Sequence, residues 1–214
     1  MLGHLMMLSL GSVAAEIETH RVETEYQRGK QEIQVLLPDA YREDGSYRVL
    51  YVLPVEKGFR NRFGRGLLLL KEMDAHNRYD LIIVRMGFEK EPWYGDHAAD
   101  PSVRQASYLK EFVAPFIEKK YAAQSSPEGR LLFGFSKSGW GAFSLILKYP
   151  DFFGYAAAWD APLLFTKFQF GMKSVYGTPE QLERMVERTP IVRRPLTLDQ
   201  LFAGQAVDQA GDPR

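Results

Sequence analysis

The chain has 214 residues, of which 45% are hydrophobic and 25% charged, with 27 basic and 27 acidic side chains. This length suits one globular domain with a substantial core, and the balanced charge argues against nucleic acid as a partner. Because the sequence contains no cysteine, disulfide bonds, thiol catalysis and cysteine-bound metal are excluded.

The first 15 residues form an apolar segment that ends in the small residues Ser12-Val13-Ala14-Ala15. Small residues after an apolar stretch are typical of a signal-peptidase site, and the segment is too short to cross a bilayer. We therefore expect a signal peptide over 1–15 and a secreted or periplasmic protein. A cytoplasmic protein with an ordinary N-terminus is the alternative.

Strands and helices then alternate along the chain. The predicted strands are Glu16–Glu23, Gln31–Leu37, Tyr47–Val55, Tyr79–Met86, Leu131–Phe133 and Phe153–Trp159, of which the first two form an antiparallel edge. The predicted helices are Gly66–Asn77 with Leu67–Leu70 and Met73 inward, Val103–Tyr121, the helix that carries Phe143–Leu147, Pro179–Val186 and a short Leu196–Phe202. This alternation predicts a mainly parallel sheet with helices on both faces.

Ligands bind such sheets at the carboxyl ends of the strands. Four residues mark the carboxyl ends of predicted strands, namely Val55, Gly87, Ser136 and Asp160. We expect these strand ends to meet at one site.

The most informative motif is Gly134-Phe135-Ser136-Lys137-Ser138-Gly139, which lies between a buried strand and an amphipathic helix. This arrangement predicts a nucleophile elbow, a tight turn that lifts a serine hydroxyl above the sheet beside the helix N-terminus. The turn requires small residues two positions before and after the nucleophile. Gly134 and Ser138 satisfy this around Ser136, whereas Trp140 would clash if Ser138 were the nucleophile. Ser136 is therefore the candidate nucleophile.

In these motifs the chain resembles the putative-esterase branch of the α/β-hydrolase superfamily, which includes esterase D-like and mycolyltransferase-like enzymes. The matching stretches span roughly residues 30 to 165 and are Tyr47–Pro54, Pro92-Trp93-Tyr94-x-Asp96, Tyr108–Tyr121, Gly134–Ala142 and Tyr149-Pro150-Asp151-x-Phe153. The resemblance implies a three-layer α/β-hydrolase fold, a serine nucleophile at Ser136, and carboxylic esters as substrates.

The resemblance also implies an oxyanion hole. The backbone N–H of Lys137 is one donor, and the second comes from the loop after Tyr47–Val55, from Val55 or Glu56. The family often has His-Gly-Gly in that loop, whereas this chain has Pro54-Val55-Glu56. Trp93, Tyr94, His97 and Trp140 are expected to line the substrate pocket.

The catalytic base does not fit the family's pattern, because members of this fold have their catalytic residues in the chain order serine, acid, histidine. The histidines are His4, His20, His76 and His97, and all precede Ser136. Asp160 is the tentative acid, or it caps a turn at Ala161-Pro162. His97 is a substitute base, a pocket residue or a surface residue, while His20 and His76 are interpreted as structural.

We therefore expect a truncated or frameshifted hydrolase, or a fragment of one, that lacks the last strands and the base. Its α/β-hydrolase domain is expected over 16–190 and an irregular tail over 191–214. The predicted function is hydrolysis of small-molecule carboxylic esters through an acyl-enzyme, impaired in this chain, with no cofactor, no metal and no membrane span. The alternatives are an acyltransferase and a non-catalytic binding protein that uses Trp93, Tyr94 and Trp140. An exposed apolar edge at Phe153–Trp159 predicts self-association.

Overall fold

The computed structural model describes residues 16–58, 65–97 and 100–161. The predicted signal peptide, the predicted helices at 179–186 and 196–202, and the tail over 191–214 lie outside these residues. The described part contains six strands: β1 (Ile17–Thr24), β2 (Gln27–Leu36), β3 (Arg48–Val52), β4 (Leu81–Met86), β5 (Arg130–Phe135) and β6 (Tyr155–Trp159).

The six strands form one sheet in the order β1-β2-β4-β3-β5-β6. β1 and β2 are antiparallel, and β2 joins β4 antiparallel, whereas β3 pairs in parallel with both β4 and β5, and β5 pairs in parallel with β6. The predicted mainly parallel sheet with an antiparallel edge pair is therefore confirmed. Because β3, β5 and β6 are parallel neighbours, their carboxyl ends lie side by side.

Helices cover both faces of the sheet. They are α1 (Leu67–Glu72), α2 (Ala75–Arg78), α3 (Gln105–Ser107), a π-helical turn (Tyr108–Val113), α4 (Ala114–Lys120) and α5 (Lys137–Lys148). The segment 105–120 and α5 pack on one face against a large apolar core, while α1 and α2 cover a smaller cluster on the other. All six residues of β4 are buried, because both of its side-chain faces meet a layer of helices.

The predicted helix Val103–Tyr121 is confirmed in its central part, with a π-helical turn inside it. Proline follows this turn at Pro115. Since proline has no N–H to donate, it interrupts the regular ladder of helical hydrogen bonds, and a local change of helical pitch absorbs the defect.

The prediction for Gly66–Asn77 was wrong in two respects. The segment forms two short helices separated at Asp74, which has a left-handed φ of 56°. Only Leu67 of the leucine run is buried, while Leu68, Leu69 and Met73 are 44%, 46% and 55% exposed. Four consecutive leucines cover more than a full helical turn, so they cannot all face one sheet.

Within the described residues β6 is the last strand of the sheet, and Tyr155 and Trp159 on it are 54% and 50% exposed. The expected self-association through this edge stays a prediction. Among the described helices, none is long and apolar enough to cross a membrane.

Candidate active site

Ser136 lies at the sharp turn between β5 and α5. Its φ and ψ are 51° and −124°, a backbone conformation that L residues rarely adopt. The turn is held from both sides, since the Ser136 N–H donates to the Trp159 carbonyl at 3.1 Å and the Trp140 N–H donates to the Ser136 carbonyl at 3.1 Å. A strained serine held between a strand and a helix N-terminus is the geometry of a nucleophile elbow.

The small residues around Ser136 have distinct roles in the turn. A Cβ on Gly134 would lie 2.3 Å from the Ser138 carbonyl oxygen, so no larger residue fits without moving backbone. Ser138 is fully buried, and its Oγ accepts from the Phe135 N–H at 3.0 Å and donates to the Phe135 carbonyl at 2.9 Å. The Ser138 hydroxyl therefore closes the turn, whereas Ser136 stands at its apex.

The expected oxyanion donors lie at the start of helix α5 and in the loop that follows strand β3. Lys137 is the first residue of α5, where backbone N–H groups have no acceptor within the helix. Val55 and Glu56 follow β3, and the Leu53 N–H donates to the Phe133 carbonyl of β5 at 2.9 Å. This bond holds the start of the Val55–Glu56 loop beside the strand that leads into the elbow.

The Lys137 side chain turns towards the loop that precedes helix α3. Its Nζ lies 3.3 Å from a carboxylate oxygen of Glu91 and 5.1 Å from the centre of the Trp93 ring. Burial lowers the pKa of the Lys137 ammonium, and the nearby carboxylates of Glu91 and Glu56 partly oppose this shift. The Lys137 ammonium thus links the loop that contains Glu91 and Trp93 to the elbow.

Three of the four predicted pocket residues, Trp93, Tyr94 and Trp140, lie around the elbow helix α5 and the loop after β3. The rings of Trp93 and Trp140 meet edge to face with centroids 6.3 Å apart, so the structure brings these two residues together. Tyr94 is only 3% exposed, and its hydroxyl donates to the Pro54 carbonyl just before the Val55–Glu56 loop. Its φ of 60° is left-handed, which costs an ordinary residue roughly 1–2 kcal/mol.

The two remaining predicted site residues are His97 and Asp160. The His97 Nδ1 accepts from the Asp100 N–H at 2.8 Å. Asp160 follows β6, is exposed and has a φ of 51°, and the pairing of Phe135 with Trp159 brings it beside the elbow. In the described part of the chain no hydrogen bond joins the Ser136 hydroxyl to a histidine.

His20 and His76 lie away from the elbow. His20 on β1 lies 2.6 Å from the Tyr121 hydroxyl, and His76 in α2 is 3% exposed among Asp39, Asp74 and Asn77. These contacts agree with the structural interpretation of both histidines. Over the residues that the structure describes, no group of three or more metal-binding side chains occurs.

A cavity of about 360 Å³ opens beside the elbow, between α1 and the carboxyl ends of β3, β5 and β6. Its lining is mostly apolar and consists of residues 52–56, Gly66, Leu69, Leu70, Met73, Arg85, Phe133–Phe135, Ser138 and Trp159. The sequence did not reveal this cavity, because its α1 residues were expected in the core.

The sequence also missed Gln105, which is fully buried. Its Oε1 accepts from the N–H groups of Trp93 at 2.7 Å and Tyr94 at 3.1 Å, and its Nε2 donates to the Glu91 carbonyl at 3.0 Å. A glutamine at the start of a helix gives no signal of such a role, since only the fold places it under the 91–95 loop.

The family model described as "Putative esterase" matches residues 24–201, which is most of the chain. The chain belongs to this esterase family. The resemblance stated from the motifs is thereby confirmed, and the esterase family match extends beyond the last described residue, Ala161.

A curated relative is Esterase Rv1288 of Mycobacterium tuberculosis, which is 28% identical over 134 residues. The match covers 61% of this chain but only 29% of the relative, so the chain spans less than a third of that protein.

Two solved structures show the same fold at low identity. The fluorophosphonate-binding serine hydrolase FphF of Staphylococcus aureus has a TM-score of 0.59 at 15% identity, covering 87% of this chain and 72% of FphF. The ferulic acid esterase AmCE1/Fae1A of Anaeromyces mucronatus has a TM-score of 0.53 at 19% identity, covering 73% of this chain and 61% of that enzyme. These likenesses show that the chain has the α/β-hydrolase fold.

Proposed function

We propose that this member of the esterase family hydrolyses small-molecule carboxylic esters with Ser136 as the nucleophile. The observation that carries the proposal is the backbone of Ser136, held at φ 51° and ψ −124° between β5 and α5. Such strain is retained where it places a reactive group. The alternative serine in the motif, Ser138, has its hydroxyl hydrogen-bonded to the Phe135 backbone.

The chemistry follows from this position. Ser136 Oγ attacks the ester carbonyl carbon, and the negative charge that develops on the carbonyl oxygen is met by N–H groups of Lys137 and of the Val55–Glu56 loop. Collapse of the tetrahedral intermediate expels the alcohol and leaves an acyl group on Ser136. Water then releases the acid and restores the serine.

The proton of the serine hydroxyl needs an acceptor, and no histidine follows Ser136 in this sequence. Removal of one triad member leaves roughly 10³–10⁴-fold acceleration over water, which comes from the oxyanion hole and substrate binding. We therefore expect slow but measurable turnover of activated esters, with rates that rise towards alkaline pH as water or hydroxide assumes the role of the base.

The proposal is tested with a fluorophosphonate probe and with p-nitrophenyl acetate. The wild-type chain should be labelled at Ser136 and should release p-nitrophenol faster than the Ser136→Ala variant. Ser144→Ala is the control, because Ser144 is a buried serine of helix α5 whose hydroxyl has no hydrogen-bond partner among the described residues. Labelling and hydrolysis that are equal in the wild type and in Ser136→Ala would reject the proposal.

A non-catalytic binding role is the second candidate, favoured by the engagement of His97 with the Asp100 backbone and of His20 with Tyr121. In that case the probe leaves Ser136 unmodified, while the paired rings of Trp93 and Trp140 still report ligands by fluorescence. Transfer of the acyl group to an added alcohol, detected as a new ester, would instead identify the acyltransferase variant.

A further inference from the structure

Tyr94 joins the elbow helix to the loop that bears the second oxyanion donor. Its ring lies against Gly141 of α5, where an added Cβ would come within 2.1 Å of the ring. At the other end its hydroxyl donates to the Pro54 carbonyl. Burial raises the pKa of Tyr94 well above its ordinary value, so the hydroxyl keeps its proton and remains a donor.

The position of Tyr94 is fixed in turn by Gln105. The Gln105 side chain forms hydrogen bonds to three backbone groups of residues 91–94. The Phe88 ring meets the Tyr94 ring edge to face at 5.7 Å and supports it from the side. Tyr94 therefore stands in a single orientation between two parts of the active site.

The bond to Pro54 also orients the next N–H. The carbonyl of Pro54 and the N–H of Val55 belong to one planar trans peptide, so they point in opposite directions. When the Tyr94 hydroxyl holds the carbonyl, it therefore fixes the direction of the Val55 N–H. Within the described part of the chain, the Val55 N–H donates to no protein acceptor.

We propose that Tyr94, clamped by Gln105, is a positioning residue that fixes the Val55–Glu56 loop, which bears the second oxyanion donor. The catalytic part of this inference rests on the proposed ester hydrolysis. It assigns Tyr94 to the support of the site instead of the substrate pocket.

The test compares Tyr94→Phe with the matched control Tyr108→Phe in the full chain. Tyr108 is likewise buried and also meets Phe88 edge to face, at 5.6 Å, but its hydroxyl has no hydrogen-bond partner among the residues that the structure describes. Both variants lose one hydroxyl and keep the ring. Gln105→Met, which retains the length of the side chain but not its hydrogen bonds, serves as a second variant if Tyr94→Phe does not fold.

The first readout is amide hydrogen exchange at Gly58, whose N–H donates to the Phe88 carbonyl at 3.0 Å and closes the loop. Loss of the tether at Pro54 should accelerate exchange there about tenfold in Tyr94→Phe, as expected for one buried hydrogen bond, and leave Tyr108→Phe unchanged. Equal exchange in the two variants would overturn the proposal, whether or not the protein is an active esterase.

The second readout is the rate at which the fluorophosphonate modifies Ser136. It should fall about tenfold or more in Tyr94→Phe, up to the roughly 10²–10³-fold loss seen when an oxyanion donor is removed, with little change in KM for p-nitrophenyl acetate. Faster exchange with unchanged labelling would also overturn the proposal, since Tyr94 would then be only structural. If the wild type itself is not labelled, the proposed ester hydrolysis fails, and so does the catalytic role of the Val55–Glu56 loop.

Discussion

The steric requirement at Gly134 gives the sharpest test of the elbow. A methyl group at this position would lie 2.3 Å from the Ser138 carbonyl oxygen, 2.5 Å from its carbonyl carbon and 2.7 Å from the Gly139 nitrogen. Ordinary contact begins near 3.4 Å, so the backbone of the turn must move by about 1 Å. All three atoms are backbone atoms of the turn, and they cannot move aside as a flexible side chain can.

Gly134→Ala should therefore cost about 3 kcal/mol in the free energy of unfolding, the upper part of the usual range for overpacking. Gly29→Ala is the control, because Gly29 has a φ of 67° and no atom of the described residues lies within 4 Å of an added Cβ. Its cost is conformational only, about 1 kcal/mol. Gly134 is not among the residues with positive φ, so its cost is purely steric.

Urea unfolding followed by circular dichroism and tryptophan fluorescence measures both variants. We expect the midpoint of Gly134→Ala to fall well below that of Gly29→Ala, and its reaction with a fluorophosphonate to slow further because the turn has opened. If Gly134→Ala is as stable as Gly29→Ala and reacts normally, the described elbow does not exist in solution.

Three further predictions concern stability. Ser138→Ala should cost about 1–3 kcal/mol in urea unfolding because it leaves the part-buried Phe135 N–H without its side-chain acceptor, whereas Ser144→Ala should be nearly neutral. Equal costs for the two variants would contradict this. Glu118→Ala should cost about 3–5 kcal/mol, since it leaves the 8%-exposed Arg130 guanidinium without its two-bond partner, and a cost under about 1 kcal/mol would refute a buried pair. Burial lowers the pKa of His20 below 6.5, so the unfolded state binds this proton more tightly and stability should be lost as pH falls from 6.5 to the folded-state pKa. NMR titration of His20 checks the last prediction, and a pKa above 6.5 would contradict it.

Much of the sheet could be predicted from the sequence because its signals are local. Leu81–Met86 is apolar except at Arg85, and all six residues are buried between two layers of helices. The choice of Ser136 over Ser138 follows equally from neighbours within two positions, since the turn leaves no space beside Gly134.

The burial of Leu67–Leu70 could not be predicted from the local sequence. Their hydrophobicity predicted burial, but Leu68 and Leu69 are nearly half exposed and Leu69 lines the cavity beside the elbow. How much of a helix is covered depends on what packs over it. That information lies in distant parts of the chain, not in the helix itself.

The sequence by itself determined the family, the mainly parallel sheet and the candidate nucleophile, because strand patterns and a tight turn depend on residues close together along the chain. Only the tertiary structure decided the surroundings of that nucleophile. Gln105 reaches back 11 residues to Tyr94, and the Tyr94 hydroxyl reaches back 40 residues to Pro54. Contacts at such separations leave no periodic signal in the sequence, since they form only when the parallel strands bring their ends together.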